Sequence, residues 1–555
     1  MNLALMQSSS NLSMTLTAQH NQQKHIWWKH GVIYHIYPRS FYDANDDGIG
    51  DLPGIIEKFD YLIDLGIDAI WLSPIYVSPM YDWGYDIRDY YNIDPCFGTL
   101  DDFKKLLAIA HSNNIKIIMD MVLNHTSHLH PWFIESFSSL DNPKRNWYIW
   151  HDPVNGKTPN NWKSAYLSSA WQWHEPTQQF YLHSFLKEQP DLNWHNPEVK
   201  EEMFNVMRYW LDIGVDGFRL DVINYCYKDN RLRNNPFSLN PFNEQIEKYN
   251  RNRPENYTLV QEIRQRIDSY NDRMVVGEVF SYPPGNPELS ASYLCNGKGL
   301  NLAFDFSLLY QPLDARKIYK SIKRWYNAIP QNCWPCNVLS NHDQPRYADK
   351  HNSDNTDAVQ RLLALMLLTL RGTPFIYYGE EIGMKNCSIP LRHIKDPAGK
   401  RFWPIYRGRD CSRAPMQWSD EPNAGFSRSC SWLPIDSNYR TINVKNQIKD
   451  RYSLLNFFKD CIHLRKKHTA LTYGLWEPLE KGKHGIFAYL CKTDQETLCI
   501  ILNFNNNPTM LNHRYEAQWK VLYSTHRSKF EHFADLRMQC YPYEATILQK
   551  VGDLS

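Results

Sequence analysis

The chain has 555 residues, too many for one small core, so two or three domains are expected. Its 61 lysines and arginines balance 60 aspartates and glutamates, leaving a net charge of +1. With no long charge run, the balance argues against a nucleic-acid partner or an electrostatically held membrane surface. The 12 cysteines are scattered, with only Cys333 and Cys336 close together, and read as free thiols of a reducing compartment. The 19 tryptophans and 35 tyrosines suit either sugar-lined sites or the packing of a large barrel.

Along the chain, residues 1–25 lack a basic start and a long apolar run, and read as a flexible polar tail. Short apolar runs then alternate with amphipathic stretches. The runs are 31–37 (GVIYHIY), 68–73 (DAIWLS), 115–122 (IKIIMDMV) and 215–222 (VDGFRLDV), then 274–280 (MVVGEVF), 300–306 (LNLAFDF), 337–340 (NVLS) and 374–379 (PFIYYG). Helices are predicted over 53–65, 100–111 and 197–213, the first with Pro53 in its opening turn. Eight apolar runs separated by helices predict an α/β fold, a closed (β/α)8 barrel spanning 26–124 and 196–470. The Trp-, His-, Asn- and Pro-rich stretch 125–195 is too long for a structureless loop and reads as a small inserted domain after the third strand. After a helical stretch at 452–468 the pattern turns to period-two alternation (GIFAYLC, TLCIILNF, WKVLYS, ATILQKV), which predicts an antiparallel β domain over 471–555. The longest apolar stretch, 362–370, is cut by Arg371 and is far too short to span a membrane. A cytoplasmic protein, monomeric or weakly self-associating, is expected.

Reactive groups of such a barrel gather at the C-terminal ends of the strands. The second run is followed by Asp82 and Tyr85, the third by Asn124 and His125. The fourth ends on Asp221 with Arg219 two residues earlier, the fifth contains Glu278, and the seventh is followed by His342 and Asp343. Any one of these reads equally well as a polar loop residue. Together, three carboxylates without a serine–histidine pair or a phosphate loop point to glycoside chemistry, in which one carboxylate attacks and another protonates the leaving oxygen. Arg219 beside Asp221 is expected to lower its pKa by roughly 1 to 3 units and keep it ionised, while Glu278, with less cationic help, is expected to be raised.

The segments DMVLNHTS (120–127), QPDLNW (189–194), GFRLDVIN (217–224), VGEVF (276–280), LSNHDQPR (339–346) and APMQW (414–418) resemble the α-amylase superfamily of glycoside hydrolases, in its α-glucosidase and oligo-1,6-glucosidase branch. The resemblance runs from about residue 26 to the end. It implies Asp221 as nucleophile, Glu278 as general acid/base and Asp343 as the group that holds sugar hydroxyls and stabilises the transition state. It further implies a glucose surrounded by Asp82, Tyr85, His125, Arg219, His342 and Arg413. Phe185 either packs on the sugar ring or belongs to the core of the insert. The segment DANDDGIGD (43–51) resembles this branch's calcium loop. Asp43, Asn45, Asp47 and Asp51 supply hard oxygens at alternate positions, with the Ile49 carbonyl as a further ligand, for one structural ion and no organic cofactor.

The substrate is then a small oligosaccharide, cut from its non-reducing end by a retaining enzyme. Val222 favours α-1,6 linkages, whereas 223–236 and 407–418 look like α-1,4-acting relatives. The alternatives are a trehalose-6-phosphate hydrolase, which needs a basic patch for the phosphate, and a sucrose-active transglucosidase. A catalytically inactive transporter-associated homologue would lack these acids and carry a membrane anchor.

Overall fold

The computed structural model of the protein describes residues 25–240, 243–281, 284–350, 356–529 and 531–552. The expected tail lies, but for His25, outside the described residues. Eight parallel strands form one sheet: β1 (Ile33–Ile36), β2 (Ala69–Leu72), β3 (Lys116–Val122), β4 (Gly217–Asp221), β5 (Met274–Gly277), β6 (Leu302–Ala303), β7 (Cys336–Val338) and β8 (Thr373–Tyr377). Their order is β6-β5-β4-β3-β2-β1-β8-β7. No ladder joins β6 to β7, but the Cys336 thiol donates to the Ala303 carbonyl at 3.2 Å across that seam. The strands are almost wholly buried on both faces, which explains why they read as unbroken apolar runs. Ile33, Trp71, Ile118, Met274, Val276, Leu302, Phe304 and Phe375 fill the interior as one cluster, so the barrel is a packed core and not a pore.

The crossover helices begin where the sequence supplies caps. Thr99 and Asp102 form a reciprocal capping box on Leu100–Ser112, and Asn196 caps Pro197–Ile213 with proline in the first turn. The helix expected over 53–65 is two helices, Leu52–Glu57 and Phe59–Leu65, which meet at Lys58. Within 125–195 three short antiparallel strands, Trp150–His151, Trp171–His174 and Gln179–Leu182, pack on Trp162 and Ala170. A six-stranded antiparallel sheet begins at Leu475, contains all four alternating C-terminal runs, and is accompanied by the pair Thr509–His513 and Leu536–Cys540. Two of its strands, Ile486–Lys492 and Thr497–Asn503, are buried almost throughout, one face on the barrel side and one on a second apolar cluster. The expected period-two alternation is therefore corrected there: these strands are continuous apolar runs.

A carboxylate site at the barrel mouth

Parallel register places the site. Asp120 stands opposite Arg219 across β3 and β4, and Gly277 opposite Leu220 across β4 and β5, so Glu278 emerges beside Asp221. The chain turns sharply after Asp221: Val222 takes φ 34° and ψ 46°, a left-handed conformation costly for a β-branched residue. Backbone bonds from Ile223 to the Glu278 carbonyl (3.1 Å) and from Glu278 to the Leu220 carbonyl (2.9 Å) hold that turn and tie the two acid-bearing strand ends together.

One buried guanidinium organises three acids. Arg219 donates from Nη1 to Asp120 (2.8 Å) and Asp221 (2.7 Å), and from Nη2 to Glu278. Burial pushes the carboxyls of Asp221, Glu278 and Asp120 up, and Arg219 opposes it in each case. The expectation that Arg219 holds Asp221 below the usual carboxylate range is therefore corrected: one positive charge is shared among three buried acids, and desolvation outweighs it. The expected rise at Glu278 is present.

Asp343 is the counter-case. Burial pushes it up too, but His342, Arg409 and Arg413 outweigh burial and hold it far below the ordinary range. Burial pushes His342 itself down to about 3, so its ring is neutral and the lasting charge comes from the two arginines. Arg413 Nη2 lies 2.9 Å and Arg409 Nη1 3.3 Å from Asp343 Oδ1. Tyr85 bridges the two halves of the site, its hydroxyl 2.7 Å from His342 Nε2 and 3.1 Å from Asp120 Oδ2.

These groups frame a cavity of about 630 Å³. Asp82, Tyr85, His125, Phe185, Asp221, Glu278 and Asp343 line it, whereas Arg219, His342 and Arg413 stand behind the lining and act through the acids. The pocket-facing arginine is Arg409, which the sequence reading missed. It donates to Asp82 (2.7 Å), Asp343 (3.3 Å) and the fully buried Asp396 (2.6 Å). Its only sequence signal is its place four residues before Arg413. Asp120 was likewise missed, although it opens the segment that carries His125. Gln189 of QPDLNW reaches Asp82 (3.2 Å) and His125 (3.1 Å), which explains how that segment serves the pocket. Burial pushes His125 down to about 4, so this ring is a neutral hydrogen-bonding group. Phe185 stands between His125 and Tyr225, with ring centres at 5.2 and 5.4 Å, and faces the cavity.

The loop 43–51 contributes nothing to this lining. Its oxygens serve its own backbone. Asp43 accepts from the amides of Asn45, Asp46 and Gly48, Asn45 from Asp47, Asp47 from Ile49, and Asp51 from Ala44 and Gly54. The donor chemistry suits a hard cation. As they stand, Asn45 and Asp47 face solvent, and no three acid, histidine or cysteine side chains among the described residues gather as a metal-holding group.

Three acids around a shared guanidinium, at the C-terminal end of a (β/α)8 barrel, define the class as a glycoside hydrolase. The chain belongs to the α-amylase family, whose catalytic domain matches residues 35–474. It is 41% identical to an oligo-1,6-glucosidase of Parageobacillus thermoglucosidasius, over 86% of this chain and 91% of that one. Among solved structures, an alpha-glucosyl transfer enzyme superposes with a TM-score of 0.89 at 36% identity, covering 95% of this chain and all of the other. An isomaltulose synthase of Erwinia rhapontici NX5, solved with sucrose, gives 0.89 at 33% identity over 96% of this chain and all of that one.

Proposed function

We propose that the protein is a retaining α-glucosidase that releases terminal α-linked glucose from short saccharides. The carrying observation is the Arg219 cluster: Asp221 and Glu278 lie side by side on neighbouring strands, bridged by one guanidinium, beside an Asp343 that stays ionised. Neighbouring parallel strands run about 4.8 Å apart, which suits the 5 to 5.5 Å carboxyl separation of a retaining pair. The three acids around Arg219 titrate as a unit. With a proton on Glu278 and Asp221 ionised, Asp221 attacks the anomeric carbon as Glu278 protonates the leaving oxygen. Glu278 then takes a proton from a water whose oxygen attacks the anomeric carbon and breaks its bond to Asp221, which frees the Asp221 carboxylate and releases glucose with its α-configuration. Asp343, Asp82 and Arg409 accept and donate to hydroxyls of the bound ring. The Asp82–Arg409 pair and the insert residues 163–167 close the cavity around a chain end, which supports exo action.

A sucrose-directed second reading rests on the likeness to isomaltulose synthase. Incubation with maltose, isomaltose, sucrose and soluble starch, with the first anomer followed by NMR, separates the readings. Glucose as its α-anomer from the disaccharides, with starch almost untouched, is expected; β-glucose or rapid starch thinning would overturn exo-acting retention. Isomerised sucrose without free glucose would establish the second reading. One structural calcium at 43–51 remains part of the proposal, on the donor chemistry alone. A cytoplasmic enzyme, monomeric or weakly self-associating, is also proposed; its twelve free cysteines support the reducing compartment. No helix among the described residues is long and apolar enough to cross a membrane.

A further inference from the structure

The loop that carries Asp82 is strained. Met80 and Trp83, on either side of it, take φ 65° and 53°, left-handed conformations that non-glycine residues hold only where their surroundings impose them. The loop closes on Asp86, whose surface is fully buried. Its Oδ1 accepts from the Asp82 amide (2.9 Å) and the Ser78 hydroxyl (3.1 Å), and its Oδ2 accepts from the Tyr81 amide (2.9 Å). The Ser78 oxygen accepts in turn from the Met80 amide at 3.0 Å, and the Asp82 carbonyl from the Tyr85 amide at 3.1 Å. All three donors to Asp86 thus belong to residues 78–82, and one of them is the amide of Asp82 itself.

An aspartate that takes the amides of its own turn is ordinarily a structural cap, and asparagine often serves as well. Here the charge is destabilising. Burial pushes the Asp86 carboxyl up to about 7, Asp82 adds to the rise, and no lysine, arginine or histidine pairs with it among the described residues. An asparagine of the same shape would carry no charge, but it has one acceptor oxygen, and its NH2 group would face an amide hydrogen. The carboxylate satisfies all three donors. What the loop delivers is the Asp82 carboxylate, which lines the cavity while held by Arg409 (2.7 Å) and Gln189 (3.2 Å). We infer that Asp86 is a positioning residue, which fixes the loop so that Asp82 meets a hydroxyl of the terminal glucose. Asp86 does not line the cavity and acts through Asp82. This inference rests on the glucosidase reading of the cavity.

The test is a double-mutant cycle on the whole chain, read as kcat/KM for isomaltose. Asp86→Asn should lose about 10- to 100-fold, as a displaced binding group does, and no more than Asp82→Ala loses. Added to Asp82→Ala, it should cost less than about threefold, because the group it positions is already gone. A role in the fold alone would lower the rate by a similar factor in either background. Inhibition by free glucose should follow the same pattern, weakened by Asp86→Asn but not further weakened once Asp82 is alanine. Ser78→Ala, which removes one donor to Asp86, is the milder companion. It should lose about 2- to 10-fold alone and almost nothing on top of Asp82→Ala. If Asp86→Asn does not fold, this second cycle decides by the same comparison. Losses that multiply with Asp82→Ala, a loss beyond that of Asp82→Ala, or an Asp86→Asn protein as active as the wild type overturns the inference and leaves the cavity reading intact. A wild type that cuts no α-glucoside overturns that reading, and this inference with it.

Discussion

Two acid-rich regions of this molecule look alike in the sequence and differ in what their oxygens face. At the barrel mouth, Asp120, Asp221 and Glu278 converge on Arg219 inside the protein, where burial pushes all three up. In the 43–51 loop, Asp43, Asn45 and Asp47 spend their oxygens on amides two to five residues away in the same turn. A carboxylate shared with other carboxylates around one cation has chemistry to offer, because its proton can be passed. A carboxylate satisfied by local amides supports a backbone conformation. The partner set separates the two cases, and acid density does not.

The largest effect that would break this contrast lies at the cluster. Asp221→Asn keeps shape while removing the attacking charge and is expected to lower kcat by about 10⁴-fold or more, with a chain that still melts cooperatively. A residual rate within tenfold of wild type would mean that another group attacks. Next comes Arg219→Lys, which keeps a charge but cannot serve three acids at once. It is expected to cost about 100- to 1000-fold in kcat/KM. The pH profile sharpens the point. In the proposed mechanism Asp221 is ionised, so activity should fall as pH drops through its raised pKa, and Glu278 is protonated, so activity should fall as pH climbs through its own. Both limbs should stand above the ordinary carboxylate range, and weakening the Arg219 contact should move the acid limb higher still. An acid limb near pH 4, or one that moves lower in the variant, would contradict the burial argument.

A smaller effect is expected at Asp82, which lines the cavity while held by Arg409 and Gln189 and, in the proposed reading, bonds a sugar hydroxyl. A charge-assisted bond contributes about 1.5 to 3 kcal/mol, so Asp82→Ala should cost roughly 10- to 150-fold in kcat/KM for isomaltose. Arg409→Ala touches Asp82 and Asp343 together and should cost at least as much. Arg413→Ala, behind the lining, should act through the position of Asp343 and alter kcat more than KM. Equal and small effects at both arginines would show that the pocket does not depend on the ionised state of Asp343.

The barrel was legible because its strands are buried on both faces, which writes them as unbroken apolar runs between amphipathic helices. Strand ends were less legible: the run 300–306 contains only two ladder residues, Leu302 and Ala303, because Phe304 onward turns into the core and mouth. Asp221, Glu278 and Asp343 were legible because each stands at or just beyond a strand end, whereas Asp120, inside β3, was not. Arg409 was not, since it sits in an irregular polar segment and reaches Asp82 across 327 residues. The direction of the Asp221 shift was also hidden. Sequence gives the neighbour Arg219 but not that Asp120 and Glu278 share it, nor how fully all four are buried.

The smallest expected effect is at the loop, and it tests whether the amide-capping arrangement is the whole account. If one calcium ion binds there, saturating it at about a hundredfold over its Kd adds roughly 2.7 kcal/mol to the folded state, and chelation should lower the melting temperature by a few degrees and calcium restore it. Asp47→Ala should remove that response. Its carboxylate is exposed and, among the described residues, accepts only from Ile49, so little else is lost with it. Asp43→Ala is the necessary companion. Its buried carboxylate takes three amides, and leaving them without an acceptor costs about 1 to 3 kcal/mol whether or not an ion binds. A chain that ignores both chelation and Asp47→Ala, yet is destabilised by Asp43→Ala, is held in this loop by hydrogen bonds alone. The contrast with the catalytic cluster is then complete without a metal.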